Sequence, residues 1–487
     1  MKSASLFEII AARCWNLFNE GKPFTPIFVV ITFLLYNLPE FKSTVFWTAA
    51  GLGLLAVLPV ILIYICFDFP LFLRNYLWIP LCAYLMIWNN VNISLALMAV
   101  GLYFFFTVFF WGTLYYHLRI GTSWLNFTRF WKLVLKNSDS TSGNAQEQVP
   151  KFLLLLFIWD SQRISIQGGI PFLQLEWPRL LIFYTSLFVF SWILHRYLFD
   201  WRPEKTNGYT RDMGVPAGAL CEKVVVMIVD GARRDRFQEA ATPFLDELRE
   251  KGTEYCRMET VYPARTVVCF SSIFTGTYPE EHGIKSNLVL RMGVRVESIF
   301  DSLRKVGKKG KLLGIAHLID AFGEDVDSVT AVMDNRVADK NIITRAKALM
   351  EKENPDLLVV QMIATDQTGH SRGALYEEYR RKIEEADKLI EEFFGWLDKK
   401  GMMKDTTVII CADHGQSDGI GGHGHLDEGE RYVPFIIHGP AIKSGLRVEA
   451  KHSLVSVAPT IAHLLGAPYP DHSRGPVLLD AIEVNNK

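Results

Sequence analysis

The sequence predicts two structural parts, a bundle of transmembrane helices followed by an α/β domain with a mainly parallel sheet. Residues 24–116 and 178–199 consist largely of Leu, Phe, Ile, Val, Trp and Tyr, whereas 222–487 read as a water-soluble sequence. In the soluble part, apolar runs of strand length alternate with helical patterns, as in α/β folds. We therefore assign 1–199 to a membrane domain, 200–221 to a linker and 222–487 to the α/β domain.

The membrane domain contains five apolar stretches that we predict to be transmembrane helices, at 25–41, 44–67, 71–89, 92–116 and 180–199. A bilayer core of about 30 Å requires roughly 20 apolar residues in a helix. Only 44–67 and 92–116 reach that length without a charged residue. The alternative for 25–41 and 71–89 is an interfacial or re-entrant helix.

Basic residues in short loops favour the cytoplasmic side of a membrane. With five spans and the amino terminus inside, the basic residues of the loops before the last span fall in the cytoplasm, with Lys42 alone outside. Arg196, Arg202 and Lys205 would lie outside as well, but translocated domains are largely indifferent to charge. This predicts an integral plasma membrane protein whose soluble domain is extracytoplasmic. Within the long loop 117–177, the apolar run KFLLLLFIW at 151–159 is predicted to lie on the inner membrane surface as an amphipathic segment.

Composition excludes two other classes of protein. The net charge is −1, and the soluble half has neither a basic stripe nor a recognition module, so we expect no nucleic-acid-binding module. The seven cysteines have no C-x-x-C pair and no framework spacing, which disfavours a zinc ribbon or a disulfide scaffold. The oligomeric state is not determined by the sequence.

Four apolar runs predict strands, at 223–230, 356–366, 406–414 and 433–439, and helical patterns lie between them at 242–251, 296–306, 341–352 and 376–400. Continuous β-branched runs such as KVVVMIVD are typical of parallel strands that are buried on both faces. In parallel sheets of this kind, ligands bind beyond the carboxyl ends of the strands.

Three of the predicted strands end in side chains that bind metals. Asp230 ends the first, Asp366 and His370 follow the second, and the pair Asp413 and His414 ends the third. A glycine-rich turn with two further histidines follows, at His423 and His425. A single such residue is equally explained as a cap or a surface residue. Repetition at successive strand ends favours a site for zinc, or for manganese and related ions.

Thr266 is the candidate nucleophile. It follows a proline and precedes VVCFSSIF, which predicts a position at the amino end of a helix, where partial positive charge favours an anion. Coordination to a cation would lower the pKa of the threonine hydroxyl, and a metal pair about 4 Å apart suits in-line displacement at phosphorus. Without that context, Thr266 is simply a helix cap.

The motifs MIVDGAR, PART with TGTYPEEHGIKSN, ATDQTGH, ADHG and GGHG, in this order, resemble the alkaline phosphatase superfamily. The most similar branch is the type I phosphodiesterases and nucleotide pyrophosphatases, and the resemblance covers about 222–487. It implies an alkaline phosphatase-like catalytic domain with two metal sites. One site would be formed by Asp230, Thr266, Asp413 and His414. Asp366, His370 and either His423 or His425 would form the other, with His423 preferred.

The resemblance also implies a mechanism, and the chain departs from the family's pattern at one position. Metal-bound Thr266 would form a phosphothreonine, which water or an alcohol then resolves, while Arg265 neutralises substrate charge or is simply a solvated loop residue. The family usually has an asparagine three residues after the nucleophile, but this chain has Cys269 there. Asn287 matches a further asparagine of the motif and would contribute at the site.

These features predict a membrane-anchored phosphodiesterase with two divalent ions, most simply Zn²⁺ with Mn²⁺ as the alternative. Its partners would be a phosphodiester or phospholipid-headgroup substrate and the lipid bilayer. The arrangement of the parts also resembles phosphoethanolamine and glycerophosphate headgroup transferases, which act on envelope lipids or glycans. A third possibility, a non-catalytic binding protein, is disfavoured by the full ligand set, and a sulfatase by the context of Thr266.

Overall fold

The computed structural model describes residues 6, 10, 21–67, 69, 71–88, 91–115, 117, 121–136, 145–198, 204–214, 216, 218–287, 292–329, 334–418, 422–424 and 427–483. The chain forms two compact units. The helical unit is built from 17–115 and 124–202, and the α/β unit chiefly from 203–487.

The helical unit consists of α1 (Gly21–Tyr36), α2 (Thr44–Cys66), α3 (Trp78–Ile87), α4 (Ile93–Phe104), α5 (Asn126–Lys136), α6 (Ala145–Gln167) and α7 (Trp177–Ile193). A 3-10 helix, Leu71–Leu77, precedes α3. Two π-helical segments, Phe105–Tyr115 and Leu194–Leu198, extend α4 and α7.

Among the described residues, three helices are long and apolar enough to cross a membrane, at Thr44–Cys66, Ile93–Leu114 and Trp177–Leu198. They coincide with three of the five predicted spans. The prediction at 25–41 corresponds to α1, which has 16 residues, and that at 71–89 to the 3-10 helix and the 10-residue α3. Both are helical but shorter than a span requires. By length and composition, three of the described helices are therefore candidate spans, and the number of five stays a prediction.

The prediction that 151–159 lies on the membrane surface is wrong. This run forms the middle of α6, a helix of 23 residues whose side chains are mostly buried within the helical unit. The sequence is misleading because charged residues on both sides of the run make the apolar stretch look too short. In the structure these charges are paired with partners inside the same unit.

The described residues of the α/β unit form nine strands, in chain order β1 (Lys223–Val229), β2 (Thr253–Glu259), β3 (Gly310–Ile315), β4 (Val326–Val329), β5 (Leu357–Met362), β6 (Thr406–Cys411), β7 (Tyr432–Val433), β8 (Phe435–His438) and β9 (Leu446–Ser453). Its helices are α8 (Arg234–Glu239), α9 (Pro243–Lys251), α10 (Thr266–Thr275), α11 (Pro279–His282), α12 (Ile299–Lys305), α13 (Ile319–Phe322), α14 (Ala338–Glu353), α15 (Ala364–Arg372), α16 (Glu377–Lys399), α17 (Glu428–Arg431) and α18 (Val457–Leu465).

The strands form one sheet in the order β4-β3-β5-β1-β6-β8-β2-β7, with β9 paired to β2. The first five strands of this order are parallel to one another. β8 is antiparallel to both β6 and β2, which makes the sheet mixed toward that edge. The predicted α/β class is therefore confirmed, and all four predicted strands are present together with five that the sequence analysis missed.

β1 lies at the centre of the parallel region, between β5 and β6. All three strands are almost completely buried, because helices cover the sheet and the strand side chains are apolar. Parallel neighbours end at the same edge of a sheet. The residues that follow these three strands therefore converge, and they are the ones predicted to bind metals.

Candidate metal centre

One group of potential ligands consists of Asp230, Asp413 and His414, which follow β1 and β6. All three side chains are buried. Nε2 of His414 lies 3.3 Å from Oδ2 of Asp413 and 3.6 Å from Oδ1 of Asp230. One ligand atom from each residue thus faces a common point.

A second group consists of Asp366, His370 and His423. Asp366 and His370 lie four residues apart in α15, so both side chains point from one face of the helix. Nε2 of His370 lies 3.3 Å from Oδ2 of Asp366, and Nε2 of His423 lies 3.7 Å from Oδ1 of the same carboxylate. Of the two late histidines that the sequence left open, His423 lies in this group, and His425 is outside the described residues.

The two groups adjoin each other. The imidazole rings of His414 and His423 are stacked with their centroids 4.0 Å apart. The structure therefore places two groups of potential metal ligands side by side.

Hydrogen bonds to the backbone orient two of the histidines. Nδ1 of His423 lies 2.9 Å from the carbonyl oxygen of Ala264, and Nδ1 of His414 lies 2.9 Å from that of Gly415. A carbonyl oxygen only accepts, so each Nδ1 carries the proton. Each Nε2 is then left as a lone pair that faces the carboxylates, which is the usual arrangement of metal-binding histidines.

The donor set fits divalent cations and is unfavourable without them. Oδ1 of Asp230 and Oδ2 of Asp413 are buried and lack a hydrogen-bond partner. Nε2 of His370 lies only 3.1 Å from Nε2 of His423. Buried carboxylate oxygens and facing imidazole nitrogens are costly unless a positive charge lies between them. Carboxylates and imidazoles together suit zinc and manganese.

Burial also perturbs the acidity of the carboxylates. It raises the pKa of Asp230 well above its ordinary value, and the neighbouring carboxylates of Asp413 and Asp366 raise it further. Burial likewise raises the pKa of Asp413. The carboxyl groups thus repel one another within a volume that excludes water, and a bound cation would relieve this repulsion.

Thr266 is the first residue of α10 and is buried beside the first group. Its hydroxyl oxygen lies 3.3 Å from Nε2 of His414. The predicted position at a helix amino terminus is therefore observed. Such a position directs backbone N–H groups and the positive end of the helix dipole toward a bound anion.

Three further residues from the sequence analysis lie around the start of α10. Oδ1 of Asn287 accepts a hydrogen bond of 2.9 Å from the backbone N–H of Val267, which fixes the beginning of the helix. Arg265 lies against Gly424, where an added Cβ would come within 2.9 Å of its Nε. Cys269 is fully buried, and its sulfur is 3.3 Å from the hydroxyl of Thr260. It therefore does not replace the family's asparagine as a donor to substrate.

Two glutamines that the sequence analysis did not select support the carboxylates. Nε2 of Gln361 donates to Oδ2 of Asp230 at 2.6 Å, and Nε2 of Gln416 donates to Oδ1 of Asp366 at 2.8 Å. Both side chains are fully buried. The sequence does indicate Gln361, because it is the single polar residue within the apolar strand β5.

Comparison with known families agrees with this geometry. A family model described as type I phosphodiesterase / nucleotide pyrophosphatase matches residues 224–305. A second, described as metalloenzyme superfamily, matches residues 302–469. Both matches fall in the α/β unit, and they confirm the resemblance that the motifs indicated.

Individual relatives are distant. A human protein described as GPI ethanolamine phosphate transferase 2, catalytic subunit, is 25% identical over 297 residues, which cover 58% of this chain and 30% of that protein. Venom phosphodiesterase CdcPDE of Crotalus durissus collilineatus is 23% identical over 227 residues, covering 42% and 27%. The chain thus matches less than a third of either relative. The solved structure of murine ectonucleotide pyrophosphatase / phosphodiesterase 5 is 15% identical, with a TM-score of 0.46 over 54% of this chain and 100% of that one.

Proposed function

We propose that the α/β unit is a metal-dependent phosphodiesterase that uses Thr266 as its nucleophile. The observation that carries this proposal is the convergence of the two ligand groups beside one helix-terminal hydroxyl, with Thr266 Oγ1 3.3 Å from His414. The match to the phosphodiesterase family model supports the same reaction class.

The reaction would proceed in two displacements at phosphorus. The oxygen of Thr266 attacks phosphorus and its proton passes to solvent, while the bond to the first alcohol breaks and that alcohol leaves after taking up a proton. The product is a phosphothreonine that still carries the second alcohol as an ester. Water or an acceptor alcohol then attacks the same phosphorus and releases a proton, and the P–O bond to Thr266 breaks as its oxygen is reprotonated. The amino terminus of α10 would favour the negative charge of the phosphoryl oxygens.

Asp230, Thr266, Asp413 and His414 would hold one divalent ion, and Asp366, His370 and His423 the other, with Zn²⁺ preferred and Mn²⁺ as the alternative. When bound, such ions lower the pKa of a coordinated hydroxyl and neutralise charge on the phosphoryl group. Arg265 lies close to His423 through its contact with Gly424 and would neutralise part of the substrate charge. Asn287 would act by fixing the start of α10 through Val267.

A second candidate is a headgroup transferase, in which an alcohol rather than water resolves the phosphothreonine. Two observations favour it. The described part of the chain has three apolar helices of spanning length, and the matched relatives include proteins described as ethanolamine phosphate transferases. In either case the protein would be an integral plasma membrane protein that takes phosphodiester or phospholipid-headgroup substrates beside the bilayer.

The test is to incubate the purified full chain with defined Zn²⁺ or Mn²⁺ and three substrates: a nucleotide diester, a phospholipid and an artificial aryl phosphodiester. Product analysis identifies which bond breaks. The reaction is run in isotopically labelled water. Incorporation of the labelled oxygen into the released phosphate ester would support a hydrolase. Transfer of the headgroup to an added alcohol or lipid without incorporation of the label would support a transferase. Cleavage of none of the three substrates by the metal-loaded protein would contradict both candidates.

A further inference from the structure

Helix α6 has the length of a membrane span. Its 23 residues extend over about 34 Å at 1.5 Å per residue, which exceeds a bilayer core of about 30 Å. Its central residues, 152–159, are apolar and largely buried. It packs against α1, α2, α3, α4 and α5 of the helical unit. A helix lying on a surface would instead expose one face along its whole length.

α6 also lies alongside a helix that is itself of spanning length. Near the end of α2, the ring of Tyr64 lies 5.5 Å from Nζ of Lys151, which is near the start of α6. Closer to the start of α2, Nε1 of Trp159 donates to the carbonyl oxygen of Ala50 at 2.8 Å. At the start of α2, the ring of Phe46 lies 5.9 Å from the guanidinium of Arg163. The two 23-residue helices are therefore antiparallel with their ends level.

The charges of α6 lie within about the first and the last two turns of the helix, and they are paired inside the helical unit. At the first end, Glu147 lies 2.5 Å from Lys151 and 3.3 Å from Arg74. At the second, Arg163 lies 2.7 Å from Asp160. Charged residues in membrane-spanning helices characteristically face the interior of the bundle and pair with one another. The charged residues that make the apolar run look short in the sequence are thus compatible with a membrane span.

We propose that α6 crosses the membrane and that the α/β unit consequently faces the cytoplasm. If α6 and α7 both cross, the loop that precedes α6 and the chain that follows α7 are on the same side. The loop before α6 contains four basic residues, Arg119, Arg129, Lys132 and Lys136, whereas 168–176, between α6 and α7, contain none and are flanked by two, Arg163 and Arg179. This asymmetry assigns the loop before α6 to the cytoplasm, and the α/β unit with it.

A separate observation agrees with two crossings between this loop and the α/β unit. Gly121, which precedes α6, belongs to the same compact unit as 203–487. It has a φ of +67°, and a Cβ added there would lie 3.3 Å from the guanidinium carbon of Arg336. Cysteine chemistry is also compatible, because Cys221, Cys256, Cys269 and Cys411 are all unpaired, as is usual in reducing compartments.

The proposal reverses the extracytoplasmic orientation that five spans predicted, because one additional crossing before α7 inverts everything after it. It goes beyond the proposed function because it determines on which side of the membrane the substrates must lie. A site on this side meets phosphodiesters dissolved in the cytosol or headgroups of the inner leaflet, and it has no access to lipids or glycans of the outer surface.

Labelling of an introduced cysteine in the full chain tests this topology in intact cells. The background carries Cys14→Ala, Cys66→Ala and Cys82→Ala and keeps the four buried cysteines of the α/β unit, so the background protein alone is the control. Leu173→Cys reports on the segment between α6 and α7, where Leu173 is 85% exposed. Val306→Cys reports on the α/β unit, where Val306 is 44% exposed. Neither residue belongs to the candidate site. Each variant is treated with a membrane-impermeant maleimide before and after permeabilisation.

We expect full labelling of Leu173→Cys in intact cells and labelling of Val306→Cys only after permeabilisation. The opposite pattern would overturn the proposal and restore the extracytoplasmic orientation. Labelling of both positions in intact cells, or of neither, would also overturn it, because these patterns place both reporters on one side. Labelling does not depend on turnover, so the result stands whether or not the proposed reaction is found.

Discussion

The side-chain amide of Gln361 donates a hydrogen bond of 2.6 Å to Oδ2 of Asp230, while its Oε1 accepts one of 2.9 Å from the backbone N–H of Ile315. The residue is fully buried in the central part of the sheet. Both the donor and the acceptor of this amide are therefore hydrogen-bonded. It holds one carboxylate of the metal centre in a fixed orientation and satisfies a backbone donor of the neighbouring strand β3.

We predict that Gln361→Leu weakens metal binding. Loss of the amide leaves Oδ2 of Asp230 and the N–H of Ile315 without these partners, at a cost of about 1–3 kcal/mol for each buried group. Residues that orient metal ligands typically contribute about 10- to 100-fold in metal affinity. Titration of the purified apoprotein with Zn²⁺ measures the change. Gln238→Leu, at an exposed position, is the control, and equal affinities in the two variants would contradict the prediction.

We predict that Thr266→Ala abolishes turnover while the fold is retained. The methyl group of alanine fits the space of threonine but has no oxygen to attack phosphorus, and loss of a catalytic nucleophile typically lowers kcat by at least about 10³-fold. Thr266→Ser keeps the hydroxyl and should retain measurable activity with a detectable phosphoserine on rapid quenching. Near-normal turnover in Thr266→Ala would exclude Thr266 as nucleophile.

The histidine pair that the sequence left open gives a matched comparison. His423 lies 3.7 Å from Asp366 and 3.1 Å from His370, and its Nδ1–H donates to Ala264. We predict that His423→Ala lowers the bound metal from two ions toward one and removes activity. His425→Ala should leave both unchanged. Elemental analysis of the two purified variants checks this, and the reverse result would assign the late ligand to His425.

Much of the site was predictable because parallel neighbouring strands end at one sheet edge. The ends of β1, β5 and β6 carry Asp230, Asp366 and Asp413, and the apolar runs that precede them identified these strands from the sequence alone. The order of the strands was not predictable, because it depends on packing between distant segments. The support from Gln416 was also invisible, since it depends on a loop that follows β6 returning to Asp366.

The helical unit was less predictable for a different physical reason. A hydropathy pattern measures how costly a side chain is when it is alone in lipid, but Lys151 and Arg163 are each paired with a carboxylate inside the bundle. Pairing removes much of that cost, so α6 is buried despite its charges. For the same reason, the prediction that 151–159 lies on the membrane surface is wrong: in the sequence this segment resembles a short apolar run between exposed charges.

We predict that chelation destabilises the α/β unit and that Asp413→Asn changes this response in two ways. Removing cations leaves the buried carboxylates of Asp230 and Asp413 unneutralised, so the Tm of the wild-type chain should fall with EDTA and recover with Zn²⁺. Asp413→Asn removes one of these charges. Its metal content should decrease, yet its Tm in EDTA should exceed that of the wild type. A lower Tm in EDTA would contradict charge repulsion as the cause.

The last prediction concerns Asp339, whose Oδ1 accepts hydrogen bonds from the backbone N–H groups of Ile363 and Ala364 at 2.8 and 3.2 Å. These bonds fix the start of α15, the helix that carries Asp366 and His370. Burial raises the pKa of Asp339 to about 6, although the two backbone donors oppose the rise. The folded chain therefore binds this proton more tightly than the unfolded chain does, for which the pKa is about 3.9.

It follows that Asp339 favours the folded state at low pH and that this contribution is lost as the pH rises from about 4 to about 6. Asp339→Asn keeps an oxygen that accepts both N–H groups but does not titrate. Relative to this variant, the wild-type chain should lose on the order of 2–3 kcal/mol of stability across that window and remain constant above it. Thermal unfolding of the detergent-solubilised full chain at a series of pH values measures the difference. The control is Asp398→Asn, at an exposed position of α16, whose stability should change with pH as that of the wild type does. Parallel curves of stability against pH for Asp339→Asn and the wild type would show that the carboxyl of Asp339 does not titrate in the window.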